Sequence, residues 1–209
     1  DISEHDFLPI RMTAVITVLR FLSGIFWMRV LLFLLAACMP LLAWTAPASV
    51  RSAGETWLLI DAASATLDVM RGERRLVRFG DVAFGRLGTK PVHYKGDTST
   101  PLGEFRIDGI NPNSNYTLFF RLNYPTAQHA QKALEKGKIS HDQYTAIVNA
   151  EVAGLPPPYT TPLGGLIGIH GLGGGSLAMH RKYNWTRGCV ALDNDQIRAL
   201  AHYVKVGMR

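Results

Sequence analysis

Apolar residues are concentrated near the N-terminus of this 209-residue chain, and this concentration limits where a folded domain can lie. From Met12 to Trp44 the chain is almost entirely apolar, interrupted by Thr, Ser and Gly residues, by Pro40 and by Arg20 and Arg29. Such a segment is typical of membrane targeting rather than of a globular core. We therefore expect the globular domain in residues 49–209.

The stretch Met28–Ala48 has the three parts of a secretory signal peptide. It begins with the short basic region Met28-Arg29, continues with an apolar run and ends in Ala46-Pro47-Ala48, which is a small-residue cleavage site. In this interpretation residues 1–48 form an export segment, and residues 1–27 are translation upstream of the true start.

Two other interpretations of this segment stay open. Met12–Leu35 is long enough for an uncleaved transmembrane anchor, despite its two arginines. Leu35-Ala36-Ala37-Cys38 resembles a bacterial lipobox, which would make Cys38 a lipidated N-terminus. All three interpretations export residues 49–209. They predict a location in the periplasm or cell envelope, with membrane contact through the N-terminal segment only.

The net charge of +6 belongs to residues 49–209, because residues 1–48 contain equal numbers of acidic and basic side chains. A basic domain favours anionic surroundings such as cell-wall polymers or lipid headgroups. The basic residues are scattered and form no recognition motif, so we expect no nucleic-acid partner. Two cysteines exclude a cysteine-rich zinc site. We expect no metal or cofactor, since four histidines show no ligand spacing: His93, His129, His141 and His202.

Short strands with inserted helices are expected in residues 49–209. Aliphatic and β-branched runs predict strands at residues 57–61, 66–70, 74–84, 101–107, 116–122 and 166–170, with a loop at 85–100. Helical spacing and capping residues predict helices at 126–136, 140–152 and 195–204. Because strands dominate, the expected class is α+β, mostly β, with a C-terminal helix.

Cys189 has the strongest chemical significance in the sequence. After signal cleavage it would be a lone cysteine in an oxidising compartment, which favours either a buried small side chain or a nucleophile. A thiol with a pKa near ~8.5 is mostly protonated at neutral pH, so nucleophilic work needs an imidazole or a positive field nearby. His170, at the end of a predicted strand, is the candidate partner.

Four motifs resemble those of a known family. They are Thr100-Pro101-Leu102-Gly103-Glu104-Phe105, Asn123-Tyr124-Pro125, Ile169-His170-Gly171 and Trp185-Thr186-Arg187-Gly188-Cys189-Val190-Ala191-Leu192. On these residues the chain resembles the YkuD-type L,D-transpeptidases, and within them the YafK-like subgroup. The resemblance covers roughly residues 57–203.

The resemblance implies a β-rich fold with Cys189 as the acyl-accepting nucleophile and His170 as general base and acid. It further implies that the Gly171 carbonyl orients the imidazole and that backbone N–H groups near Gly188 and Cys189 hold the oxyanion. Arg187 is a departure, because many members of the wider family have histidine there.

Five further residues are candidates for contact with substrate. Trp185, Thr186 and Arg187 precede the nucleophile, and Arg187 has the charge to bind a carboxylate. Tyr124 either lines the cleft or anchors a turn. His180, in a loop with two basic neighbours, either touches substrate or is a solvated surface residue.

The implied reaction is acyl transfer on the tetrapeptide stems of peptidoglycan through a Cys189 thioester. An amine acceptor gives cross-links, whereas water gives an L,D-carboxypeptidase or an amidase that releases a wall-attached protein. A catalytically silent wall-binding module is the alternative from a different class. A thiol protease is disfavoured, because no Asn or Asp that would orient the histidine is identifiable.

Overall fold

The computed structural model describes residues 54–209, so the predictions made for residues 1–48 lie outside the described residues. Within residues 54–209 there are nine strands and four helices. The strands are β1 (Thr56–Asp61), β2 (Thr66–Arg71), β3 (Arg74–Phe79), β4 (Thr89–Lys90), β5 (Thr100–Pro101), β6 (Ile107–Ser114), β7 (Thr117–Leu122), β8 (Gly168–His170) and β9 (Val190–Ala191). The helices are α1 (Ala127–Glu135), α2 (His141–Val152), α3 (Leu177–Lys182) and α4 (Asn194–Ala201).

The strands form three sheets. An antiparallel sheet has the order β1-β2-β3, and a second sheet has the order β6-β7-β8-β9. In the second sheet β8 pairs antiparallel with β7 and parallel with β9. Strands β4 and β5 form a short parallel pair. This arrangement confirms the expected α+β, mostly β class.

The hydrophobic core receives side chains from both larger sheets and from the helices. Leu67 and Val69 of β2, Phe120 of β7, Ile169 of β8 and Leu200 of α4 are all buried in it. Burial of each such side chain contributes about 1.5–3 kcal/mol before the entropy of ordering is subtracted. The core therefore fixes the inner face of β8 and β9, and the outer face is left for other residues.

The two longer helices and the C-terminal helix lie where the sequence predicts them. Ser140 and Gln143 form a reciprocal capping box at the start of α2, and Asp193 and Gln196 form another at the start of α4. Each box satisfies backbone N–H groups that a helix start leaves unpaired. α4 ends at Ala201, a few residues before the expected end.

Three local predictions are wrong. The strand expected at 74–84 ends at Phe79, because Gly80 and the left-handed Asp81 (φ 54°) follow it. The strand expected to end at residue 107 instead begins there, as β6, and continues to Ser114 through Gly, Asn and Pro residues that are uncommon in strands. The loop expected around His180 is helix α3, which is capped by Ser176, whose side chain accepts from the Met179 N–H.

No helix among residues 54–209 has the length and apolar character that crossing a membrane requires.

Candidate active site

The parallel pair β8–β9 brings the strand that ends in His170 beside the segment that carries Cys189. Ile169 lies beside Val190, and the next pair is His170 beside Ala191. Ile169 and Val190 are buried in the core. Because successive side chains of a strand point to opposite faces, His170, which follows Ile169, points to the other face. Cys189 directly precedes β9. Cys189 lies two residues before Ala191, the partner of His170, and among residues 54–209 its thiol hydrogen-bonds the Leu166 carbonyl oxygen and not the imidazole.

Cys189 carries a thiol that is protonated at neutral pH. Its Sγ donates to the Leu166 carbonyl oxygen, 3.7 Å away. The residue is partly exposed, but protein atoms surround the sulfur closely. This burial raises the pKa of the thiol to about 11, and a backbone hydrogen bond from Gly168 offsets only part of the effect. A nucleophilic step at this sulfur must therefore begin with removal of its proton.

His170 is held in the tautomer that can accept this proton. Its Nδ1 lies 2.6 Å from the Gly171 carbonyl oxygen. A carbonyl only accepts, so Nδ1 carries the proton of the neutral ring and Nε2 keeps its lone pair. Burial lowers the pKa of His170. The imidazole is therefore neutral, and a base, at neutral pH.

Aromatic rings surround the His170 imidazole on the outer face. The ring centroid of Tyr116 lies 4.4 Å away, that of Trp185 lies 5.7 Å away and that of Phe119 lies 6.3 Å away. Such packing restricts the ring to one orientation and excludes water around it.

A tight turn at Thr186–Cys189 presents the nucleophile. The Thr186 hydroxyl donates to the Cys189 carbonyl oxygen over 2.7 Å and accepts the Gly188 N–H over 3.1 Å. Gly188 has φ 133°, and a Cβ on it would lie 2.9 Å from both Ile167 Cδ1 and the Ser99 carbonyl oxygen. Only glycine fits this backbone and this space.

The family model described as the YkuD L,D-transpeptidase catalytic domain matches residues 55–209. The chain belongs to this family. The resemblance seen in the sequence motifs is thereby confirmed, whereas the YafK-like subgroup stays a prediction. Residues 55–209 are therefore a domain of the L,D-transpeptidase catalytic type.

Two solved structures are similar to this YkuD domain at low identity. The structure of Bdellovibrio bacteriovorus Bd1075 is 19% identical with a TM-score of 0.47, covering 74% of this chain and 46% of that chain. An L,D-transpeptidase from Mycobacterium smegmatis is 16% identical with a TM-score of 0.41, covering 74% of this chain and 56% of that one. The chain spans about half the length of each. A search of curated proteins found no match.

Tyr124 does not line the cleft of the YkuD domain. Its side chain is 0% exposed, and its hydroxyl donates to the His93 carbonyl oxygen. Burial raises the pKa of this hydroxyl, so it stays protonated. The earlier alternative, an aromatic that anchors a turn, is the one that its position fits.

His180 and Thr186 also face inward. The expectation that they contact substrate directly is therefore wrong for both. Each is 3% exposed. His180 lies on α3, and its Nδ1 accepts the Trp185 indole N–H over 3.1 Å. His180 thus orients Trp185, which packs on His170, and Thr186 shapes the turn before Cys189.

The Gly188 N–H is not free to bind an oxyanion, contrary to the expectation from the sequence. Its N–H is used by the Thr186 hydroxyl. The Cys189 N–H, in contrast, has no hydrogen-bond partner among residues 54–209. One of the two expected oxyanion donors is therefore committed to the turn.

Arg187 is exposed and forms no ion pair within the described domain. The same residues, 54–209, contain no group of three or more His, Cys, Asp or Glu side chains that could hold a metal ion.

Tyr116, Phe119 and Leu166 are site residues that the motifs did not indicate. Phe119 faces His170 through the β7–β8 register. Leu166 has φ 58°, a strained value for a residue with a side chain, and its carbonyl accepts from the thiol. These three residues reach the site through contacts between segments that are distant in the chain, and no local motif predicts such contacts.

Proposed function

We propose that this protein transfers acyl groups of peptidoglycan stem peptides, with Cys189 as nucleophile and His170 as general base and acid. The observation that supports the proposal is the register of β8 with β9, which puts His170 beside Ala191, two residues after Cys189. Family membership supports the reaction type, since the matched domain is an L,D-transpeptidase catalytic domain.

The protonation states support a mechanism in which a neutral pair reacts. With a thiol pKa of about 11, about one thiol in ten thousand is ionised at pH 7 without help. The His170 Nε2 lone pair accepts the Sγ proton as the sulfur attacks the stem-peptide carbonyl carbon. The thiolate and imidazolium then exist together only along the reaction path.

The tetrahedral intermediate places a negative charge on the former carbonyl oxygen. The unpaired Cys189 N–H is the backbone donor available to it. As the intermediate collapses, the C–N bond breaks and His170 returns the proton to the leaving amine. The acyl group stays on Sγ as a thioester.

An acceptor then resolves the thioester. Attack by an amine forms a new amide bond and regenerates the thiol, whereas attack by water releases a free acid. The net charge of +6 favours residence beside an anionic wall. Export through the N-terminal segment and location in the cell envelope are part of this proposal.

The test is incubation of the purified domain with tetrapeptide muropeptides, followed by mass analysis of the products. We expect dimers or trimmed stems with the natural protein and neither with Cys189→Ala or His170→Ala. Dimers identify amine transfer, trimmed stems identify hydrolysis, and release of a wall-linked peptide identifies the amidase reaction. An unchanged product pattern with Cys189→Ala would overturn the proposal.

A second measurement examines the nucleophile alone. A carbapenem is expected to acylate Cys189, so the intact mass rises in the natural protein and does not in Cys189→Ala. If muropeptides stay unchanged while the protein still binds cell walls, the silent wall-binding alternative replaces the enzyme.

A further inference from the structure

Two backbone segments run side by side next to the nucleophile. Gly85 and Thr186 form a parallel bridge. The Thr186 N–H donates to the Phe84 carbonyl oxygen over 3.0 Å, and the Arg86 N–H donates to the Thr186 carbonyl oxygen over 3.1 Å. This is the bonding pattern of parallel strands, in which residues keep step. The bridge is isolated, because the Gly188 N–H bonds the Thr186 hydroxyl instead. Arg86 and Arg187 each directly follow a bridged residue, so their backbones lie close together without being paired.

The side chain of Arg86 is held against the backbone that leads to Arg187. Its Nε donates to the Trp185 carbonyl oxygen over 3.3 Å, and the residue is exposed. Because one guanidinium nitrogen is used, the terminal N–H groups remain for a ligand. Arg187 is exposed as well.

Neither of these two guanidinium groups has a carboxylate partner among residues 54–209. Arg78, Arg121 and Arg198, in contrast, each lie within 3.1 Å of an aspartate oxygen. Two like charges that lie close together repel each other. A bound anion removes that repulsion, and the planar fork of arginine matches a carboxylate.

The pair lies close to the reacting sulfur along the chain. Arg187 is two residues before Cys189, so their Cα atoms are at most about 7 Å apart. A carboxylate bound between Arg86 and Arg187 would thus belong to a molecule that reacts at Cys189.

We propose that Arg86 and Arg187 form a binding site for the C-terminal carboxylate of the stem peptide that acylates Cys189. The inference deepens the proposed function and rests on it for the identity of the peptide. Arg86 is a specificity-determining residue in this assignment: a donor with a free terminal carboxylate is preferred to one whose carboxyl is amidated.

The first test needs no enzymatic turnover. Alkylation of Cys189 is timed with iodoacetate, which is anionic, and with iodoacetamide, which is neutral, and the ratio of the two rates is taken. Thiol ionisation affects both rates alike and cancels in the ratio. We expect Arg86→Gln and Arg187→Gln each to lower the ratio about three- to tenfold.

Arg74→Gln is the matched control, because it removes the same charge from an exposed position on β3. Its ratio should equal that of the natural protein. Arg86→Lys keeps the charge without the fork and should retain most of the ratio. An unchanged ratio in both Arg86→Gln and Arg187→Gln would overturn the proposal.

The second test uses stem tetrapeptides in the absence of an added amine. With the natural protein we expect KM for an amidated tetrapeptide to be about tenfold higher than for the free acid. This preference should disappear in Arg86→Gln. Glycine and glycinamide are then compared as acceptors. A preference for glycine, with none between the donors, would assign the pair to the acceptor and overturn the donor assignment.

The two tests distinguish failure of the proposed reaction from failure of the proposed arginine site. If no tetrapeptide is consumed but the alkylation ratio falls in both arginine variants, the anion site stands and the proposed reaction fails. If tetrapeptides are consumed with equal KM and the ratio is unchanged, the reaction stands and the arginine site fails.

Discussion

The Trp185 indole donates its N–H to Nδ1 of His180 over 3.1 Å, which joins helix α3 to the turn that carries the nucleophile. The same indole packs edge-on against the His170 imidazole. Because His180 accepts at Nδ1, its neutral ring carries the proton at Nε2. Burial lowers the pKa of His180, so this neutral state persists at neutral pH. A buried histidine thus supports the candidate base through one aromatic ring.

Replacing His180 should reduce turnover without removing the base itself. In His180→Leu the indole N–H loses its acceptor, and we expect kcat to fall about tenfold with a smaller change in KM. His180→Asn places an amide oxygen near the position of Nδ1 and should recover most of kcat. Steady-state kinetics on a stem tetrapeptide measure both. Equal losses in the two variants would show that the hydrogen bond has no role.

The pH profile of kcat/KM should have its acid limb below the ordinary imidazole pKa of 6.5. His170 must be neutral to accept the thiol proton, and burial lowers its pKa. Activity is therefore retained as the pH falls through 6.5 and is lost only as His170 becomes protonated at lower pH. The measurement is kcat/KM from pH 4 to 9. An acid limb above pH 6.5 would contradict the buried, neutral imidazole.

Gly188→Ala should destabilise the domain and abolish activity. The new Cβ would meet Ile167 and the Ser99 carbonyl oxygen at 2.9 Å, at a backbone φ of 133°. We expect a loss of about 1–3 kcal/mol in the free energy of unfolding. Urea unfolding measures it. Gly174→Ala is the control, since nothing lies within 4 Å of its Cβ position, and its free energy of unfolding should change little.

The domain should lose stability as the pH falls below 6.5. Burial lowers the folded-state pKa of His129, His170 and His180. Below pH 6.5 the unfolded chain binds protons that the folded state does not yet bind, so the free energy of unfolding falls until the folded-state pKa values are passed. Urea unfolding at pH 7.5 and pH 5.5 measures the change.

His129→Gln provides the check on this pH dependence. His129 Nε2 lies 3.0 Å from the Leu102 carbonyl oxygen, and its Nδ1 lies 2.7 Å from the Thr126 hydroxyl. A glutamine amide can donate to the same carbonyl but does not titrate. The difference in stability between the two pH values should shrink in this variant, and an unchanged difference would exclude His129 as a contributor.

The chemistry-bearing residues and the regular helices follow from local patterns in the sequence. Capping residues and helical spacing predict α1, α2 and α4, because these elements are stabilised by interactions between residues close in the chain. Cys189 and His170 stand out because a lone thiol in residues 49–209 and an imidazole at the end of a predicted strand are chemically conspicuous in any fold.

Strand pairing and burial were decided by the tertiary structure alone. β6 is rich in Gly, Asn and Pro, and it forms only because β7 is available to pair with it. His180 looks like a surface residue or a substrate contact in the sequence and is buried, because packing between distant elements determines exposure. Arg86 and Arg187 are about a hundred residues apart in the chain and become neighbours only through the bridge between Gly85 and Thr186. Contacts of this kind depend on long-range register, which local composition does not encode.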